Sequence, residues 1–250
     1  YKNTKTGISI GTDFEYYDDL ILGLGFNSYY EDIETDSTAS SQQQKLSGNY
    51  FDNFISLSLD YDKRNQKFQT SQGFRNYFST DLPLISETNT LANTFISTNY
   101  YEYFNNNILK SSFYFKNANS ITGENVKLSE RLSLPSNRLR GFERGKVGPK
   151  DGNDFIGGNY IASLNFSSDV PKILENSQST DLKIFLDIAN VWGVDYDSSL
   201  ETSDDIRSAF GIGLDFFTPV GPLNFTLSQH LSKGSNDVTE SFRFNLGTSF

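Results

Sequence analysis

Few residue types in this 250-residue chain could carry out nucleophilic or metal chemistry. The chain has no cysteine, which excludes disulfides, thiolate metal sites and cysteine nucleophiles. Its single histidine, His230, supports neither a His-rich zinc site nor a familiar histidine-dependent hydrolase. We interpret His230 as a rim residue near a strand end, because a lone histidine has no partners for catalysis. The sequence therefore predicts no enzyme, no metal and no other cofactor.

The composition is acidic and rich in aromatic residues. The 31 Asp and Glu outnumber the 21 Lys and Arg, and the net charge of -10 argues against a nucleic-acid partner. Mean hydropathy is -0.48, and no apolar run approaches the roughly 18 residues that a membrane-spanning helix needs. Aromatic residues nevertheless make up 15% of the chain. This combination is typical of an outer-membrane β-barrel, in which apolar residues alternate with polar ones.

Apolar and polar residues alternate with a period of two along much of the chain. In residues 207–217, Phe210, Ile212 and Leu214 fall on one face, and glycines and Asp215 fall on the other. Such alternation predicts strands with one apolar and one polar face. No stretch has a convincing 3.6-residue period. The eleven predicted strands are residues 6–16, 20–29, 53–62, 73–83, 91–102, 107–117, 157–167, 181–190, 207–217, 222–230 and 240–250.

The direction of the apolar faces decides the fold class. In a membrane barrel they meet lipid, whereas in a soluble β-sandwich, the alternative, they meet inside the protein. Aromatic pairs near strand ends, such as Tyr29-Tyr30 and Tyr100-Tyr101, favour the barrel, since aromatic girdles mark membrane interfaces. Short connections alternate with long polar ones, at residues 31–48, 118–156, 193–206 and 231–239. The residues expected to face outward include Ile55, Leu57, Leu59, Phe210, Ile212, Leu214, Phe242 and Phe244.

The C-terminal half carries a series of motifs. They are Leu139-Arg140-Gly141-Phe142, Gly148-Pro149, Ile156-Gly157-Gly158-Asn159, the segment 185–192 ending in Trp192, the segment 218–223, and the terminal segment 242–250. In this order they resemble the barrel of the outer-membrane protein insertase family. The resemblance is strong over residues 128–250. Residues 1–127 match more loosely, through the strand rhythm and the turn at residues 70–74.

The resemblance implies an all-β, transmembrane, antiparallel up-and-down barrel. The family barrel has sixteen strands and follows soluble periplasmic domains, so residues 1–250 would be about eleven C-terminal strands of a truncated barrel. Strand parity agrees, because bacterial barrels usually have an even number of strands with both ends in the periplasm. Residues 118–156 would be a loop folded into the barrel.

The resemblance also implies a function in the bacterial outer membrane. The family folds and inserts β-barrel proteins through a weakly paired seam between its first and last strands, and some branches secrete polypeptides. The implied partners are unfolded outer-membrane β-barrel proteins, the lipid bilayer, and assembly lipoproteins that bind the missing periplasmic domains. No nucleic acid, nucleotide or metal is implied. A secretion pore of the same wider family and a passive porin or adhesin barrel are the alternatives.

The family motifs assign roles to individual residues. Arg140, within the loop motif of Leu139, Gly141 and Phe142, would pair with Asp187 on the inner wall of the barrel. A second acidic position of the family corresponds to Asn165, which puts a three-residue cluster in doubt. Without the family, a solvated Arg140 would be the simpler interpretation. Gly157 and Gly158 would permit tight backbone turns, and Trp192 would mark a strand end. The C-terminal assembly signal would comprise Phe242, Phe244, Leu246, Gly247 and Phe250.

Overall fold

A computed structural model of the chain describes residues 1–67, 69–104, 107–170, 180–218 and 221–246. Its main feature is an eleven-stranded antiparallel sheet in which consecutive sheet strands pair with one another. This up-and-down order confirms the prediction of an all-β fold, and the single large sheet excludes the soluble sandwich. Among the described residues, no helix has the length and apolar character needed to cross a membrane.

Eleven of the thirteen strands build the sheet. In chain order they are β1 (Lys2–Tyr17), β2 (Leu20–Glu34), β3 (Gly48–Asp62), β4 (Gly73–Ser86), β5 (Thr90–Phe104), β6 (Asn107–Ser120), β9 (Tyr160–Asp169), β10 (Thr180–Trp192), β11 (Arg207–Thr218), β12 (Gly221–Ser232) and β13 (Phe242–Leu246). The short strands β7 (Lys150–Asp151) and β8 (Asp154–Phe155) pair only with each other. All eleven sheet strands agree with the predicted strands, apart from their bounds.

Three short helices lie in the connections. The α-helix α1 spans Ser41–Lys45, and 3-10 turns span Leu128–Glu130 and Ser198–Leu200. The α-helix α1 shows no helical period in the sequence because it is only about one turn long. It depends on a local cap, in which the Gln43 backbone N–H donates to Ser40 Oγ at 3.2 Å.

Two of the differences from the predicted boundaries bear on the site. Residues 31–48 were expected to be a polar loop, but β2 continues to Glu34 because Glu31 and Ile33 turn inward and are buried there. Gly157 and Gly158 were placed in a strand, but β9 begins only at Tyr160. The positive φ of Gly157, 72°, is incompatible with an extended strand at that residue.

The apolar faces of the strands point away from the interior. Leu57, Leu59, Phe210, Ile212, Phe242 and Phe244 are 40% to 54% exposed, and Ile55 and Leu214 are half-buried. An exposed apolar band on a sheet of this kind is the surface that a barrel presents to lipid.

The buried core lies on the other side of the sheet. It is formed by the connection between β6 and β9, which we call the inner loop (residues 121–159), and by the inner face of the neighbouring strands. The loop contributes Leu132, Leu134, Leu139, Phe142 and Val147; the strands contribute Tyr114, Ala118, Ile161, Ala189, Val191 and Ala209. The inner loop therefore fills the concave side instead of extending into solvent.

The sheet ends at β1 and β13. Within the described ranges, β1 pairs only with β2, and β13 pairs only with β12, over five residue pairs. Every residue of β1 is exposed. The two outermost strands therefore each present an edge without a partner in the described part of the chain.

The two faces of β3 should respond differently to a charge. Leu59→Lys places a cation on the outer face and should destabilise the protein in a bilayer by about 2–4 kcal/mol near the midplane. Ser58→Lys, the matched control, places the same cation on the inner face, where Asp13 lies beside Ser58. Unfolding in lipid vesicles by denaturant measures both. Equal destabilisation by the two variants would contradict the lipid-facing assignment.

Candidate functional site

Arg140, at the tip of the inner loop, forms a bidentate ion pair with Asp187 on β10. Its Nε donates to Asp187 Oδ2 at 2.7 Å, and its Nη2 donates to Oδ1 at 2.8 Å. The backbone N–H of Arg140 also donates to Oδ2, at 3.0 Å. The Asp187 side chain is fully buried, so these parallel, charge-assisted bonds compensate a carboxylate that has no access to water.

Asn165 on β9 completes the set of donors around Asp187. Its Nδ2 donates to Asp187 Oδ1 at 2.9 Å and to the backbone oxygen of Arg138 at 2.8 Å. Ser163 donates to Asn165 Oδ1 at 2.9 Å, which fixes the amide orientation. Asn165 therefore belongs to the cluster after all. A second carboxylate at this position would repel Asp187, whereas the amide supplies a donor.

The loop tip fits into space left by small residues of the wall. The Arg140 guanidinium lies over the Phe185 ring, 3.5 Å from its centroid. Gly211 makes room for that ring, since a Cβ there would lie 2.6 Å from Phe185 Cζ. Gly141 has a φ of 88°, and a Cβ on it would lie 3.0 Å from the Ala209 Cβ. Leu139 and Phe142, on either side, are buried in the core.

Gly157 and Gly158 bring three backbones together at the C-terminal end of the inner loop. Leu132 and Gly158 exchange backbone hydrogen bonds of 2.8 and 2.9 Å. A Cβ on Gly158 would lie 2.2 Å from the carbonyl oxygen of Trp192, and a Cβ on Gly157 would lie 2.5 Å from that of Leu132. Trp192 ends β10, as predicted, and stacks on Tyr160 with ring centroids 5.6 Å apart. These glycines are needed for close backbone approach.

A second ion cluster, which the sequence analysis missed, anchors the start of the inner loop. The buried Lys127 lies 2.8 Å from Glu31 Oε2, contacts Asp52, and lies 3.3 Å from Glu130. Burial works against the charge of Lys127, but the three carboxylates hold its pKa above the usual value. Burial raises the pKa of Glu130. No local pattern links Lys127 to acids on β2 and β3, so only the fold reveals this anchor.

Two further pairs join the inner loop to its neighbouring connections. Arg131 pairs with Asp195, which also accepts from the Val126 N–H at 2.8 Å. Burial alone would raise the pKa of Asp195, but these donors and Asn159 lower it. Arg207 Nε donates to Asp237 at 2.8 Å, and Asp237 in turn accepts from the Gly148 N–H at 3.0 Å.

The terminal motif is only partly described. Phe242, Phe244 and Leu246 lie on the exposed outer face of β13. Gly247 and Phe250 lie outside the described residues. His230 lies close to the end of β12 and is half-exposed. In the part of the chain that the structure describes, no group of three His, Cys, Asp or Glu is placed to hold a metal ion.

The assembled site is a docking site for a loop, in which buried charges fix the position of the loop against the wall. The whole chain, residues 1–250, matches the Omp85 superfamily domain. The chain belongs to the Omp85 superfamily. This finding confirms the resemblance seen in the motifs and the prediction of a non-enzymatic protein.

The Omp85 relatives of known sequence include two proteins named outer membrane protein assembly factor BamA. The one from Neorickettsia risticii is 24% identical over 256 residues, covering 100% of this chain and 34% of the relative. The one from Neisseria meningitidis serogroup B is 27% identical over 139 residues, 45% of this chain and 17% of the relative. A SAM50-like protein of Schizosaccharomyces pombe is 33% identical over 117 residues, 43% of this chain and 24% of the relative.

Two solved structures share the fold of this chain. BamA from Haemophilus ducreyi lacking POTRA domains 1-3 superposes with a TM-score of 0.89 at 20% identity, covering 98% of this chain and 54% of that one. CdiB from Acinetobacter baumannii superposes with a TM-score of 0.65 at 10% identity, covering 98% and 42%. The chain thus spans about a third of the first curated relative and about half of the BamA structure.

The ion pair at the loop tip of this Omp85 barrel should behave as one unit. Arg140→Ala leaves a buried carboxylate without its main partner and should cost about 3–5 kcal/mol. Asp187→Ala should also loosen the inner loop, and the double variant should cost less than the sum. Protease sensitivity of the loop and unfolding of the full-length protein measure these effects.

Lys183→Ala is the control, because Lys183 pairs with Asp215 on the same wall without touching the loop motif. Strictly additive effects of the two substitutions would contradict the coupling.

Proposed function

We propose that this chain is the barrel portion of an assembly machine that folds and inserts β-barrel proteins into the bacterial outer membrane. The observation that carries the proposal is the match of all 250 residues to the Omp85 superfamily domain, together with a BamA relative aligned over the whole chain. The sheet that superposes on a BamA barrel and the inner loop docked by Arg140 and Asp187 support it.

The proposed mechanism is strand addition at the end of the sheet. In hydrocarbon, an unpaired backbone N–H or C=O costs several kcal/mol, so an open strand edge recruits a partner strand. Among the described residues, one edge of β13 has no partner. We propose that this edge templates incoming strands, and that the complete barrel has sixteen strands with a lateral seam between the first and the last. The terminal motif 242–250 would serve as the assembly signal of this barrel.

The proposed partners follow from the same scheme. Unfolded outer-membrane β-barrel proteins are the substrates, and the lipid bilayer surrounds the exposed apolar band. Assembly lipoproteins would bind periplasmic domains that precede the barrel, outside this chain. The mechanism uses backbone pairing alone and requires no nucleotide, metal or other cofactor.

A second candidate is a polypeptide-secretion pore of the same superfamily. The observation in its favour is the fold shared with CdiB, although the TM-score is well below that with BamA. A passive porin or adhesin barrel is a third possibility. In such a barrel, the contacts that dock the inner loop would serve only to hold the loop in the channel as a plug.

Cross-linking to a substrate tests strand addition at β13. In the full-length protein, Asn245→Cys on β13 should form disulfides with cysteines in the last strand of an unfolded barrel substrate during insertion into liposomes. Asn224→Cys is the matched control, because Asn224 faces Asn245 on β12, which is paired on both sides. Substrate attached equally to both positions, or to neither, would contradict the proposal. Ion conductance without catalysed folding would favour a passive barrel.

This chain by itself should lack insertase activity. Its proposed seam partner and its substrate-receiving domains lie outside residues 1–250. Folding of an unfolded barrel substrate in liposomes should therefore remain at the uncatalysed rate with the chain alone and rise with the full-length protein. If the chain alone matched the full-length protein, the seam would have to lie elsewhere.

A further inference from the structure

One side chain of the last strand reaches across to the inner loop. Arg243 on β13 donates from Nη1 to the backbone oxygen of Ser136 at 3.0 Å, and from Nη2 to that of Phe142 at 2.6 Å. Its Nη2 also lies 2.7 Å from Glu240 Oε2, which holds the guanidinium in place. The Arg243 side chain is only 14% exposed. The two carbonyls that it binds lie on either side of Arg140 in the chain, and that of Phe142 belongs to the loop motif.

The backbone just ahead of β13 pairs with the same part of the loop. The Glu240 N–H donates to the oxygen of Gly141 at 3.0 Å, and the Glu143 N–H donates to that of Val238 at 2.9 Å. Phe142 and Thr239 form an antiparallel bridge. Residues 238–240 thus add a short strand-like contact to the loop tip, and Arg243 extends it into β13 itself.

These contacts matter because they join β13 to the loop tip independently of its pairing with β12. Within the described β12–β13 ladder, Arg243 lies opposite Thr226. If β13 moved away from β12, the guanidinium would leave the carbonyls of Ser136 and Phe142. A hydrogen bond to a charged group contributes more to stability than one between neutral groups. Movement of β13 and release of the loop tip are therefore energetically linked.

We propose that Arg243 is a positioning residue that couples the inner loop to β13. With Arg243 in place, β13 separates from β12 only when the loop tip also loosens, and a loosened loop in turn frees β13. The coupling itself is a property of the fold. Its functional meaning rests on the proposed function, since it would make the docked loop a part of the lateral gate.

Cysteine reporters test the coupling, because the chain has no native cysteine. Val147→Cys places a thiol at a buried loop position, and its maleimide labelling rate in the full-length protein reports loosening of the loop. Arg243→Gln should label about tenfold faster, the loss expected when charged donors to two carbonyls are removed. Arg243→Lys, which keeps the charge, should restore part of the protection. Arg75→Gln is the control, because Arg75 pairs with Asp60 away from the loop.

The reciprocal measurement follows β13. A cysteine pair at Leu223 and Leu246, which face each other on β12 and β13, should form less disulfide when Arg140→Ala loosens the loop. In the Arg243→Gln background, Arg140→Ala should cause no further fall in disulfide yield. Unchanged labelling of Val147→Cys in Arg243→Gln would overturn the proposal. The proposal would also be overturned if Arg140→Ala lowered the disulfide yield equally in the wild-type and Arg243→Gln backgrounds. Neither readout involves a substrate, so failure of the proposed insertase function is detected separately.

Discussion

The buried carboxylate of Asp187 is the constraint on which the docking of the inner loop depends. It lies on a wall strand without access to solvent, and four donor groups, three from Arg140 and one from Asn165, compensate its charge. A carboxylate removed from water is costly unless it is paired and fully hydrogen-bonded. With the loop in place, the charge is satisfied. Without the loop, the same aspartate would have to be hydrated, so the loop and the wall define one arrangement together.

Apart from Glu130, a loop carboxylate that contacts Lys127, the ion pairs of the inner loop join loop cations to anions of the surroundings. The inner loop contributes the cations Lys127, Arg131 and Arg140, and the strands and neighbouring connections contribute the anions Glu31, Asp52, Asp187 and Asp195. These contacts hold the loop near its start and at its tip, while Gly148 near the β7–β8 hairpin is held by Asp237. The apolar cluster between these contacts adds hydrophobic burial, which stabilises the loop but does not fix its orientation. The charged groups determine where the loop sits, and the apolar groups make that position stable.

The sequence predicts the strands for a physical reason, and it predicts the Arg140–Asp187 pair through the family resemblance. A period of two is a local property, so each strand and its outward face can be predicted without knowing the partner strand. Arg140 and Asp187 lie in recognisable motifs. The Lys127 cluster was missed because Glu31 and Asp52 lie on β2 and β3, far from Lys127 and Glu130 in the sequence, and they meet only through the fold. The part played by Asn165 was underestimated. Only the structure shows that its amide N–H groups point at Asp187 and at the Arg138 carbonyl, where a carboxylate could not donate. Gly157 and Gly158 were assigned to a strand because alternation does not reveal a positive φ.

The two edges of the sheet differ in how the inner loop supports them. At β1, the Tyr1 hydroxyl donates to the backbone oxygen of Leu128 at 3.2 Å, and the rest of the strand is held by its long pairing with β2. At β13, the loop exchanges backbone hydrogen bonds with residues 238–240 and receives the Arg243 guanidinium on two of its carbonyls. Contacts made by one side chain and a short backbone segment are removed by changing a few groups. The inner loop therefore ties the β13 edge, more than the β1 edge, to the docking of the Arg140 motif.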